Sequence, residues 1–284
     1  MSILFGPAGN AASFAAAGFK ATVDAPRWLA GLGLTAYEYQ CGHGVKVGAE
    51  TAAKIGAQAQ AYGITLSMHT PYYINLSSAA AERIEKNIDY VLQSCRAAQA
   101  MGALRLVVHC GGVGKQSRDA AFANTKTNIR AILSAMEEVG FEQTLCLETM
   151  GKQSVIGSAE EICKLVALDE RLLPCIDFGH LNARTGGKCN SYEAFCALFD
   201  RMENEIGAER TRRFHSHFSK IEYGPKGEVR HLTFADKLYG PVFEPLAEIL
   251  VQRGYSPTII CESAGTQAED ALEMQRLYQA ACAN

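Results

Sequence analysis

Thr144-Leu-Cys-Leu-Glu-Thr149 is the stretch whose reading decides the fold. Leu145, Cys146 and Leu147 make a short buried strand, and the strand ends on a carboxylate, Glu148. One acidic strand end is ordinary. The chain, however, carries seven other apolar runs, and several of them also end on His, Asp or Glu. Strands are expected at Ile3–Gly6, Ala36–Cys41, Thr65–His69, Leu104–His109, Leu145–Glu148, Leu173–Asp177, Arg213–Ser219 and Thr258–Glu262.

Helical patterns lie between them. Ala25–Leu32, Ala49–Tyr62, Ala79–Met101 and Ala121–Val139 repeat apolar residues at helical spacing, and the last stops at Gly140. Ser158-Ala-Glu-Glu161 has the form of a capping box opening the next helix. Ser191–Met202, Pro241–Arg253 and Ala268–Ala281 complete the series, and Lys220 to Phe234 reads as a long polar loop. Strands and helices alternate about every 35 residues, close to the spacing of an eightfold barrel. The expected class is α/β, a (β/α)8 TIM barrel in one domain covering residues 1–284. A Rossmann fold is disfavoured, because Ile3–Gly6 is not followed by its glycine-rich turn.

The 284 residues are 48% hydrophobic, enough to bury a large core. The formal net charge of −3 offers no global basic field for nucleic acid. Any polyanion contact must rest on local cations or on metal ions; Lys115, Arg118, Lys152, Lys220, Lys226 and Arg230 fall in the expected βα loops. Ten cysteines include no C-x-x-C pair. Those in or beside the strands act as small hydrophobes, which fits a reducing cytoplasm. The first ten residues lack a basic segment, and no apolar run nears the ~20 residues of a membrane span.

In a parallel barrel every strand's C-terminal end lies on one face. That rule gathers His69, His109, Glu148, Asp177 and Glu262, with His180 just past a strand end and His231 in the polar loop. His215 and His217 share one side of their strand. Of seven histidines only His43, after the second strand, is left over. Each residue alone has a plain explanation as a hydrogen-bonded surface residue, a cap or an ion-pair partner; the set does not. Histidines and carboxylates without cysteine point to zinc, with manganese or iron as the other choices. So many donors imply two or three ions, with Glu148 bridging. Clustered divalent ions suit phosphoryl chemistry, because they activate water and neutralise charge on the attacked group.

The chain resembles the endonuclease IV family of apurinic/apyrimidinic endonucleases, within the xylose isomerase-like barrels. The resemblance spans nearly the whole chain. Its carriers are Met68-His-Thr-Pro-Tyr-Tyr-Ile-Asn-Leu76, Val107-Val-His-Cys-Gly111, Cys146-Leu-Glu-Thr149, Cys175-Ile-Asp-Phe-Gly-His180, His215-Ser-His-Phe-Ser-Lys220, Val229-Arg-His231 and Cys261-Glu-Ser263. The resemblance implies three zinc ions and incision of duplex DNA 5′ to an abasic sugar, as in base-excision repair. By position, His69 and His109 hold one ion with Glu148 bridging. Asp177, Glu262 and a strand-seven histidine hold the second, and His180 and His231 the third. Tyr72 matches a position that helps open the duplex. Two departures are visible. Val229 stands where the family has Asp, which leaves two alternatives: adjacent Glu228 substitutes for it, or the third site is weak or empty. His-Phe-Ser-Lys stands where the family has His-Leu-Asn-Asp, which leaves both His215 and His217 as candidate ligands; His217 is favoured because the residues after it align with that motif.

The expected function is therefore a zinc-dependent phosphodiesterase acting on abasic DNA, with Glu148 as catalytic residue and no membrane or protein partner. The alternative is a sugar isomerase or epimerase on the same barrel, with Glu148 and Glu262 shuttling a proton. A third class is a metal-binding barrel without activity.

Overall fold

The computed structural model describes residues 3–283. Eight strands form the barrel sheet: β1 (Leu4–Pro7), β2 (Ala36–Gln40), β3 (Thr65–His69), β4 (Arg105–Val108), β5 (Thr144–Glu148), β6 (Leu172–Asp177), β7 (His215–Phe218) and, after a two-stranded hairpin of β8 (Ile221–Gly224) and β9 (Gly227–His231), β10 (Thr258–Cys261). All neighbours in the barrel pair in parallel, in the order β1-β10-β7-β6-β5-β4-β3-β2. A bridge between Ala8 and Glu38 joins the two end strands. That seam needs a glycine in β1, because a Cβ on Gly6 would run into the Ala36 carbonyl. The result is a nearly closed TIM barrel ringed by helices, as the alternating pattern predicts.

The two faces of each strand serve two cores. Leu145 and Leu147 of β5 face outward into the large apolar layer between strands and helices. Cys146 faces inward, where it packs with Val107, Leu173 and Cys175. Arg105 closes the N-terminal end of the barrel. Its guanidinium donates to Thr258 Oγ1 at 3.2 Å and to the carbonyls of Arg213 and Phe214 at 2.9 and 3.3 Å. The helix Arg118–Val139 stops at Gly140, whose φ of 81° suits the left-handed cap. The capping box at Ser158 and Glu161 is present. No helix among the described residues is long and apolar enough to cross a membrane.

Two segments given no strand or helix above are ordered elements. Lys220–Phe234 contains the β8–β9 hairpin, whose strand alternation is hidden by a register shift. The segment after Asp177 is the helix Phe178–Arg184; Asp177 caps it by accepting a 2.7 Å hydrogen bond from the His180 N–H. Strands β4 and β10 end one residue earlier than the sequence suggests, at Val108 and Cys261. His109 and Glu262 thus sit just beyond the ladder, on backbone free to turn toward the mouth.

Candidate metal centre

The C-terminal mouth of the barrel is built around Glu148, which is 1% exposed. Its Oε2 lies 2.8 Å from His109 Nε2 and 3.2 Å from His69 Nε2. Its Oε1 lies 3.1 Å from His217 Nδ1. At this mouth three groups of residues each bring their donor atoms within 4.8 Å of one another: His69, His109 and Glu148; Glu148, Asp177, His217 and Glu262; and His180, Glu228 and His231. Glu148 belongs to two of them. A cavity of about 380 Å³ opens above, lined by His69, His109, Glu148, His180, Glu228 and His231, with Tyr72 and Lys152 among the other lining residues.

The histidine rings are set by their far nitrogens. A carbonyl oxygen only accepts, so His69 Nδ1–H donates to Thr70 O at 2.7 Å and His180 Nδ1–H donates to Thr149 O at 2.9 Å. His231 Nδ1 pairs with Ser219 Oγ at 2.8 Å. Each ring therefore has Nε2 available for a cation, in the outer-shell pattern usual for metal-binding histidines.

The donors fit divalent cations by their own chemistry. Asp177 Oδ2 is buried with no hydrogen-bond partner. The nearby His180 Nδ1, at 3.2 Å, is already committed to Thr149. A buried, unpartnered carboxylate oxygen is costly unless a cation satisfies it.

The electrostatics show a cluster bound together by charge. Burial acts to raise the Glu148 pKa. The charges of His109 and His217 overturn that effect and hold it well below the usual carboxylate range. Burial acts to lower His69, yet its hydrogen bond to Glu148 and that residue's charge lift it to about 9. His180 is likewise raised against burial, by Asp177 first and then Glu148.

Glu228, not Val229, is the β9 residue that faces His180. Tyr223 pairs with Glu228 and Glu222 with Arg230, so Val229 is the extra residue of a β-bulge. It points away, 57% exposed, and Glu228 Oε2 reaches to 3.4 Å from His180 Nε2. Gly151 permits this approach, since a Cβ there would lie 2.6 Å from the Glu228 Cβ. Of the two strand-seven histidines, His217 faces Glu148. His215 lies lower in the barrel and donates from Nε2 to Glu38 Oε2 at 2.8 Å. Several of the loop cations are committed locally: Arg118 to Glu161, Lys220 to the carbonyls of Phe234 and Asp236, and Arg230 to Glu222. Lys152 remains on the cavity wall.

Two residues outside the sequence reading belong to this region. Glu38 is fully buried inside the barrel. His43 stands at the rim with its ring centroid 4.9 Å from that of Tyr72 and Nδ1 2.6 Å from Tyr72 Oη.

Known proteins place this architecture. An uncharacterized protein of Methanocaldococcus jannaschii is 34% identical over 96% of this chain and 96% of its own length. A probable endonuclease 4 of Staphylococcus carnosus is 29% identical over 57% of this chain and 55% of its own length. Two solved structures share the fold. Endonuclease IV from Thermus thermophilus superimposes with a TM-score of 0.66 at 21% identity, covering 92% of this chain and 93% of that one. A D-tagatose 3-epimerase-like protein gives a TM-score of 0.69 at 18% identity, covering 88% and 90%. Residues 26–279 match the model described as xylose isomerase-like TIM barrel, and the chain belongs to that family.

Proposed function

We propose that this chain is a metal-dependent phosphodiesterase that incises duplex DNA on the 5′ side of abasic sites. The observation that carries the reading is the third donor set, His180, Glu228 and His231. A proton shuttle on a sugar needs two bases and one cation, which Glu148, Asp177, His217 and Glu262 could already supply. Additional donors at the same mouth suit displacement at phosphorus, where charge must be neutralised on both the attacking and the leaving oxygen. The relatives named probable endonuclease 4 support the same reading.

His69, His109 and Glu148 would hold one zinc ion, Asp177, His217, Glu262 and Glu148 a second, and His180, Glu228 and His231 a third; manganese or iron are the other candidates. When bound, such ions activate water and polarise phosphate oxygens. The protein's own groups supply the rest. Glu148, with one oxygen toward His69 and His109 and the other toward His217, orients the attacking water. Tyr72, 48% exposed at the mouth, offers a ring against which bases flanking the lesion can pack. Lys152 on the cavity wall takes a phosphate of the backbone.

The test is incubation of zinc-loaded protein with an end-labelled duplex carrying one abasic site, beside Glu148→Gln. Incision 5′ to the site by the wild type only is the expected result. No incision, together with epimerisation of a ketose, would overturn the reading in favour of a sugar epimerase.

A further inference from the structure

Below the mouth, one layer deeper in the barrel, lies a carboxylate with no part in the scheme above. Glu38 is 0% exposed, at the centre of β2. Four polar side chains converge on it. Ser67 Oγ donates to Oε2 at 2.9 Å, and His215 Nε2 donates to the same oxygen at 2.8 Å. Gln40 Nε2 donates to Oε1 at 3.0 Å. His217 Nε2 lies 2.9 Å from Oε1, at ion-pair distance, though its N–H is not aligned on it.

We infer that Glu38 is a positioning residue for the metal centre: it holds His217 with Nδ1 turned up toward Glu148, Asp177 and Glu262 and with the proton on Nε2. The inference rests on the metal-centre part of the proposed function, not on the identity of the substrate. The other histidines at the mouth explain why such a residue is needed. His69 and His180 have their Nδ1 tied to carbonyl oxygens and His231 has its Nδ1 tied to a hydroxyl, which leaves Nε2 for the centre. His217 is reversed. Its Nδ1 faces Glu148 at 3.1 Å and Glu262 at 3.5 Å, and its Nε2 points down into the barrel. No carbonyl plays the holding role there; the oxygen at hand is Glu38 Oε1. A carboxylate in this position fixes the tautomer and raises the basicity of the ligating nitrogen.

The rest of the cluster supports positioning over ligation. Cys175, His215 and His217 also have donor atoms within 4.8 Å of one another. His215 Nε2 is nevertheless committed to Glu38 Oε2 at 2.8 Å, one of the contacts that satisfy the buried carboxylate. Ser67, Gln40 and His215 thus serve to stabilise the buried charge of Glu38, as a satisfied network must.

The experiment compares wild type, Glu38→Gln and Gln40→Ala. Affinity for Zn²⁺ is read by competition with a chromogenic chelator, and the visible spectrum of the Co²⁺-loaded protein reports the ligand field. Glu38→Gln is expected to weaken the tightest bound ion about 10–100-fold and to shift the cobalt bands. Gln40→Ala, which keeps the carboxylate, is expected to stay within about threefold of wild type. Unchanged affinity and spectrum in folded Glu38→Gln would overturn the inference. If Glu38→Gln does not fold, long-range ¹H–¹⁵N spectra of zinc-loaded wild type decide: the proton of His217 on Nε2 supports the inference, and a proton on Nδ1 overturns it. Weakened metal binding in Glu38→Gln alongside a wild type inert on abasic DNA would sustain Glu38's role while removing the substrate assignment.

Discussion

Glu228 and His231 face the same cluster although they stand three positions apart on β9, because Val229 is bulged out between them. In a regular strand, residues three apart point to opposite faces. The bulge therefore replaces an acidic residue two positions before His231 with one three positions before it. Glu228→Ala is expected to remove about one ion equivalent from the loaded protein, weakening that site by more than the ~100-fold that an outer-shell partner costs. Val229→Asp is expected to leave metal content unchanged, since its side chain points to solvent. Metal analysis after dialysis against limiting zinc reads both; extra metal in Val229→Asp would mean the bulge shifts to admit residue 229.

Tyr72 makes its contacts to the protein at the rim, with His43 and Tyr73. If its exposed ring packs against bases flanking an abasic site, Tyr72→Ala loses about 1–3 kcal/mol of duplex affinity, on the order of 5–150-fold. Anisotropy titrations at one fixed salt concentration measure this. Metal content stays at the wild-type level. Equal affinity in the two proteins would remove Tyr72 from the binding surface.

Arg118 and Glu161 join the loop after β5 to the helices on either side. The guanidinium pairs with Glu161 at 2.7 and 2.8 Å and donates to the carbonyls of Gln153 and Val155, each at 2.9 Å. Burial acts to raise the Glu161 pKa, but Arg118 and the N–H groups of Gly157 and Ser158 lower it overall. A carboxyl depressed in the folded state stabilises above its unfolded pKa of about 4.3 and loses that contribution as pH falls through the folded value. Glu161→Gln should cost about 1–3 kcal/mol at pH 7, the range for hydrogen bonds to a charged group. The gap from wild type should narrow below about pH 4. Urea unfolding across pH 3–7 reads the difference; a pH-independent gap would mean Glu161 acts through shape alone.

The sequence revealed the strand-end groups because one topological rule sends all of them to the same mouth. It could not reveal Glu38. Period-two alternation separates the faces of β2 but does not say which faces the barrel axis, and a mid-strand carboxylate reads as solvent-facing. The β8–β9 hairpin was hidden for a related reason: the bulge at Val229 breaks the alternation that marks a strand. The helix Phe178–Arg184 was hidden because Asp177 and His180, read as site residues on a loop, also begin a helix, and the cap and the site use the same carboxylate. The choice between His215 and His217 turned on depth along one strand face, which only the register with β6 and β10 fixes.

These distant imidazoles and carboxylates are expected to meet around shared cations. Anomalous diffraction from zinc-soaked crystals locates any such ions. At least two peaks are expected at the barrel mouth, with Glu148 oxygens within bonding distance of two of them and a further peak among His180, Glu228 and His231 at full loading. A mouth without any anomalous peak at saturating zinc would contradict that expectation.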